Sequence, residues 1–172
     1  MYTDEASFRQ SPTLHRTWAR RGCQPKVPTR GQRNPQKILG AVAVPSARFV
    51  WRHQSEYFNT TTYRSYLEAV VVPGFYRRRH RIYLIQDNAS YHKAPEVKEW
   101  LRENHRFLEM FSLPAYSPEF NATERIWQYT RKSATHNVFF ETPEDLCRSL
   151  FTTFRDIAKR PETIRNLVGP CF

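Results

Sequence analysis

Apolar positions along this 172-residue chain change their period several times, and those changes delimit its elements. Ile38-Leu39-Gly40-Ala41-Val42-Ala43-Val44 predicts a strand, Pro45-Ser46 a turn, and Arg48-Phe49-Val50-Trp51 the returning arm of a hairpin. Beyond Thr61 the spacing becomes helical: Tyr63, Tyr66, Leu67, Val70 and Val71 fall on one face, predicting an amphipathic helix over roughly 60–72. Ile82-Tyr83-Leu84-Ile85-Gln86-Asp87 predicts a central strand, apolar on both faces and covered by helices on either side. Pro95 suits the first turn of a helix running to about Asn104, with Val97, Trp100 and Leu101 on its buried face. Arg106 to Phe111 predicts another strand, which the loop from Pro114 to Pro118 cannot continue. A helix should begin at Asn121 and a last one at Thr142, where a cap residue, Pro143 and the acidic pair Glu144-Asp145 form a start signal. Leu146, Leu150, Phe154 and Ile157 supply the inner face of that last helix. Strands, helix, strand, helix, strand and helices in this order predict an α/β domain with a mixed sheet.

One stretch resists this reading. Residues 9–37 mix Arg and Lys with Pro12, Gly22, Pro25, Pro28, Gly31 and Pro35, which predicts an irregular basic segment. Trp18 within it is expected to pack against something, so the segment should not be a free tail. The first forty residues hold eight basic side chains against Asp4 and Glu5, a net +6 of the chain's +11. With a pI near 10.0, that excess points to a polyanionic partner, nucleic acid before an anionic membrane. No apolar run approaches the length of a spanning helix, and the N-terminus lacks a secretory pattern. A content of 40% hydrophobic and 15% aromatic residues argues against a disordered chain. Cys23, Cys147 and Cys171 form no C-x-x-C pair, and this odd, sparse count fits ordinary thiols in a reducing cytoplasm better than a disulfide framework.

The candidate chemistry lies in the acidic residues. Asp87 closes a predicted central strand, the edge at which α/β sheets place ligands; the alternative is an aspartate that starts a turn. Glu124 opens a predicted helix, where Asn121-x-x-Glu124 equally describes a capping box. Asp4, beside Glu5, is a third carboxylate or simply a solvated residue near a terminus. Carboxylates converging from different elements suit hard cations and two-metal phosphoryl transfer. His92, five residues after Asp87, is a candidate for contact with a phosphate or a metal-bound water, or an ordinary surface histidine. Arg20, Arg21, Arg77, Arg78, Arg79, Arg131 and Lys132 are candidate nucleic-acid contacts, since aromatic residues interleave with the basic runs. Trp127, one turn beyond Glu124, is expected in the core rather than as a base-stacking platform.

Asp4-Glu5-Ala6-Ser7-Phe8, then Trp18-Ala19-x-x-Gly22, then Gln86-Asp87-Asn88-Ala89-x-x-His92, then Tyr116-Ser117-Pro118-Glu119-Phe120-Asn121-x-x-Glu124-x-x-Trp127 resemble, in order, the catalytic domain of DDE transposases. The nearest group is the bacterial insertion-sequence branch of the mariner superfamily; 36 residues separate Asp87 from Glu124, and the resemblance spans nearly the whole chain. It implies an RNase H-like fold, with Asp4 on the first strand, Asp87 on the fourth and Glu124 on a following helix. It further implies two Mg²⁺ or Mn²⁺ ions held by these three residues. The implied activity is DNA cleavage at transposon ends and strand transfer to target DNA by a bacterial, nucleoid-associated protein, with a homodimer on DNA.

Departures from the family pattern set further expectations. Three residues precede Asp4, so its strand should be short. Nothing precedes Met1, so residues 1–172 are expected to form one catalytic domain without the family's N-terminal helix-turn-helix reader, as a fragment, a late-start product or half of a split frame. Ala122 stands where the family commonly has proline, and Glu119 where aspartate is common. A catalytically inactive DNA-binding remnant, or another RNase H-like nuclease acting on RNA–DNA hybrids or branched DNA, are the alternatives.

Overall fold

A computed structural model describes residues 1–29, 31, 34–55, 57–115 and 117–169. Tyr116 of the motif above, Arg30 and Arg33 of the basic segment, and Cys171 lie outside the described residues. Five strands form one sheet: β1 (Tyr2–Phe8), β2 (Gln36–Ala43), β3 (Arg48–Gln54), β4 (Ile82–Gln86) and β5 (Leu108–Ser112). Their spatial order is β3-β2-β1-β4-β5. The first three run antiparallel as a meander, whereas β4 and β5 run parallel to β1, so the sheet is mixed as expected.

The helices follow the predicted periods with two differences. Thr60–Tyr66 (α1) passes through a π turn, Leu67–Val71, into Val72–Phe75 (α2), three residues past the expected end. Pro73 is tolerated because it falls in the first turn after the π segment, where its missing N–H is not needed. α3 (Pro95–Glu103), α4 (Ala122–Thr130) and α5 (Pro143–Lys159) lie where the cap and proline signals place them. Thr142 and Asp145 close a reciprocal capping box at the start of α5. A further helix, α6 (Pro161–Val168), was not expected; Pro161 and Glu162 mark its start.

Two layers of core enclose the sheet. Ala6, Phe8, Ile38, Val42 and Phe49 face Trp127, Leu150 and Phe154 of α4 and α5. On the other face Leu39, Ala41, Ile82 and Leu84 meet Tyr63, Tyr66, Val97 and Trp100. The strand buried on both faces is therefore β2, not β4. On β4, Ile82 and Leu84 are buried but Tyr83 is 51% exposed, in ring contact with the half-exposed Phe111 of β5. The cause is that α4, α5 and α6 cover only β1 to β3, leaving one face of the β4–β5 edge open.

β1 is seven residues long and pairs with β2 along its whole length, from Tyr2↔Val42 to Phe8↔Gln36. Its parallel pairing with β4 is short: Tyr2↔Ile85, extended by the Ile85 N–H donating to Met1 O at 2.8 Å. The strand carrying Asp4 thus gains its length beyond Asp4 rather than before it. The basic segment is pinned near its start, where Gln10 Nε2 donates to Phe140 O and the His15 N–H to Asn137 Oδ1. Trp18, expected to pack, is instead 100% exposed, because the chain leaves the body of the domain after that anchor.

Candidate active site

The parallel register of β1 and β4 sets two carboxylates level with each other. Tyr2 pairs with Ile85; two residues further along each chain stand Asp4 and Asp87. Asp87 lies one residue past the end of β4, so its side chain is half exposed at the sheet edge. Glu124 is the third residue of α4. All three line one cleft of about 380 Å³, together with Asn88, Pro118 and Asn121.

α4 is held in place at both ends of its first turns. Asn121 Oδ1 accepts from the Thr123 N–H at 3.1 Å, while the Asn121 N–H donates to Pro118 O at 2.9 Å. That second bond occupies the donor a capping box would use, so Glu124 is not drawn back to the cap and its carboxylate lines the cleft instead. One turn on, Trp127 is buried, and its Nε1–H donates to Asp4 Oδ2 at 3.1 Å. The ring can come this close because Gly40 lies directly across the ladder from Asp4. A Cβ at position 40 would meet the Trp127 ring at 2.5 Å.

Burial drives the Asp4 carboxyl up to about 7, and the negative charges of Glu5 and Glu124 push it in the same direction. Asp87 is held the other way, below the usual carboxylate range, chiefly by its hydrogen bond from His92 and with help from the Ala89 N–H. His92, expected to meet a phosphate or a metal-bound water, is only 2% exposed. Its Nε2 bonds Glu5 Oε1 at 2.9 Å and its Nδ1 bonds Asp87 Oδ1 at 3.0 Å. Its short 3₁₀ turn, Ser90–Lys93, tucks the ring against Tyr63 rather than presenting it at the surface. Burial lowers its basicity, but the two carboxylates outweigh that and lift it to about 9.

Glu5 is the residue that the sequence reading passed over. Strand alternation sends Asp4 toward Trp127 and Glu5 toward the opposite face, where it is nearly buried against His92. One ligand atom each of Glu5, Asp87 and His92 lie within 4.8 Å of one another. Because both ring nitrogens are already bonded to carboxylates, this trio is a hydrogen-bonded line rather than an open cage. The signal for it was the period of two, once Asp4 was placed on a strand.

The basic candidates separate into groups. Arg20 and Arg21 are exposed on the segment after β1, and Lys132 is exposed beyond α4. Arg131 lies over the Phe8 ring, 5.4 Å from its centroid. Arg77, Arg78 and Arg79 are exposed too, but they precede β4 and stand at the opposite end of that strand from Asp87. They do not share the cleft. Among the described residues, no helix is long and apolar enough to cross a membrane.

Residues 1–147 match the family described as DDE superfamily endonuclease. The chain is 29% identical over 168 residues to the 39 kDa protein of insertion element IS630 from Shigella sonnei, covering 98% of this chain and 46% of that protein. It is 27% identical over 84 residues to protein y4pE/y4sA of Sinorhizobium fredii strain NBRC 101917 / NGR234, covering 49% of this chain and 58% of that one. The chain therefore spans about half the length of the curated relatives it matches. Among solved structures, the Mos1 transposase paired-end complex with left transposon end superposes with a TM-score of 0.66 at 15% identity, over 98% of this chain and 55% of that one. The catalytic domain of Mos1 mariner transposase gives a TM-score of 0.55 at 18% identity, over 99% and 80%. These likenesses establish the RNase H-like fold.

Proposed function

The chain belongs to the DDE superfamily endonucleases, and on that premise we propose that it is the catalytic domain of a bacterial insertion-sequence transposase. It cuts DNA strands at transposon ends and joins the freed 3′ ends to target DNA. The observation that carries this reading is the shared cleft: Asp4 from β1, Asp87 from the end of β4 and Glu124 from α4 offer oxygen donors to one space. An all-oxygen set fits Mg²⁺ or Mn²⁺, and a divalent cation would offset both the burial that chiefly lifts the Asp4 carboxyl to about 7 and the like charges of Glu5 and Glu124 that add to it. Structures of Mos1 paired-end complexes with Mn and with Mg are consistent with that choice. Two such ions, when bound, would supply activation of the attacking water or 3′-hydroxyl and stabilisation of the leaving oxygen.

The chain's own residues hold the ligands and the DNA. Trp127 orients Asp4, and His92 with the Ala89 N–H fixes one oxygen of Asp87. Arg20, Arg21, Arg131 and Lys132 contact phosphates, while Arg77, Arg78 and Arg79 meet DNA away from the point of cleavage. Two copies of the chain act together on paired ends, in the bacterial nucleoid.

Asp87→Asn tests the reading. The variant should fold as wild type does, by far-UV circular dichroism, and lose Mn²⁺-dependent strand cleavage. A well-folded variant that still cuts would overturn the assignment. Salt-sensitive DNA binding by wild type, with no metal-dependent cutting, would describe a DNA-binding remnant instead.

A further inference from the structure

We infer that His92, braced by Glu5, is a positioning residue that fixes Asp87 Oδ1 and thereby aims Asp87 Oδ2 into the cleft; this rests on the metal-dependent reading above. Three observations carry it. Asp87 sits past the end of β4 with its side chain half exposed, so the strand ladder does not hold it. Its Oδ1 accepts from the Ala89 N–H at 3.0 Å and is ion-paired with His92 Nδ1 at 3.0 Å, and Nδ1 also lies 3.5 Å from Asp87 O, so the imidazole and Ala89 together hold one carboxylate oxygen. The histidine is itself immobile: its side chain is fully buried, ring against ring with Tyr63 and Tyr91, and its far nitrogen is anchored on Glu5.

The line Glu5–His92–Asp87 joins strand β1 to the end of β4 on the face opposite Trp127. Asp4 and Glu5 are adjacent, so one strand segment supports two of the three cleft carboxylates, Asp4 directly and Asp87 through the imidazole. A ligand carboxylate whose second oxygen is held by an outer partner loses less freedom on binding a cation. Without His92, Asp87 would keep only the bond from Ala89 and could turn about its side-chain torsions.

The two ring nitrogens allow a test that separates positioning from simple packing. In His92→Asn the side-chain amide can donate from near the position of Nδ1, toward Asp87. In His92→Gln it can donate from near the position of Nε2, toward Glu5. Mn²⁺ binding to the full chain, measured by calorimetry and by the Mn²⁺-induced rise in Tm, is compared with wild type. We expect His92→Gln to weaken binding by about tenfold or more, in the range seen when outer partners of metal ligands are removed, and His92→Asn to recover most of that loss. Equal affinities for folded His92→Gln and wild type would overturn the inference, as would equal losses in both variants, which mark a packing role. Wild type that binds no Mn²⁺ would overturn the metal-dependent reading itself, and this inference with it. If neither histidine variant folds, Glu5→Gln decides: it keeps the side-chain shape but weakens the anchor. A loss of about threefold or more is expected, and unchanged affinity would overturn the inference.

Discussion

Trp127 donates its indole N–H to Asp4 Oδ2 at 3.1 Å, tying the helix that carries Glu124 to the strand that carries Asp4. Two of the three cleft carboxylates are therefore spaced by a single hydrogen bond and the ring behind it. The ring packs edge-on against Phe8, Phe49 and Phe154, so α4 cannot slide without disturbing the core of the first face. Gly40 completes the arrangement by leaving room for the indole opposite Asp4.

Gly40→Ala should be costly in a specific way. The new methyl would sit 2.5 Å from a Trp127 ring carbon, so the indole must withdraw and its bond to Asp4 must stretch or break. Overpacking of this kind costs about 1–3 kcal/mol, read as a lower midpoint in urea unfolding. Trp127→Phe removes the clashing atoms, so the double variant should be more stable than the sum of the two single losses predicts. Strict additivity would show that the contact between Gly40 and Trp127 is not what limits the site.

The Asp4 carboxyl makes the metal-free protein sensitive to pH in a known direction. Its folded value of about 7 lies above the ordinary 3.8, so the folded state holds this proton more tightly than the unfolded chain. The contribution is complete below about pH 4 and is lost as pH rises through 7, up to about 4 kcal/mol over that interval. Asp4→Asn has no proton to lose. Its Tm without metal should match wild type near pH 5 more closely than at pH 8, where the variant should be the more stable. A Tm difference that stays flat from pH 5 to 8 would contradict the buried, like-charged setting of Asp4.

Much of this arrangement was legible in the chain because local rules decide it. The hairpin of β2 and β3, the cap and Pro143 at the start of α5, and the helical faces around Tyr63 and Trp100 all follow from period and turn chemistry. Asp87 was legible because a strand must end where the polar run begins. The misses share a different cause. Whether Tyr83 is covered depends on which strands α4 to α6 overlie, and no residue near Tyr83 encodes that. Trp18 is hydrophobic, yet it is fully exposed, beyond the anchors at Gln10 and His15. Glu124 matched a capping box, but Pro118 O had already taken the cap residue's N–H. His92 and Glu5 lie 87 residues apart, and only the pairing of β1 with β4 brings them together.

The basic surface yields the last prediction, in the salt dependence of DNA binding. Arg20 and Arg21 are exposed on a segment whose only long-range anchors found among the described residues lie before Trp18. No ion pair involving either guanidinium is found there, so both are available to phosphates. Each phosphate contact removed should lower the slope of log affinity against log salt by about one, equally for any DNA sequence. Arg20→Ala combined with Arg21→Ala is thus expected to reduce the slope by about two and to leave the Mn²⁺-induced rise in Tm unchanged, because neither residue lines the cleft. Arg77→Ala, at the far end of β4, should lower the slope without slowing the cut at saturating DNA. Filter binding across a salt series, run beside a cleavage time course, measures both. A loss of Mn²⁺ response in the Arg20 and Arg21 variant would mean that this segment folds over the cleft and contributes to it.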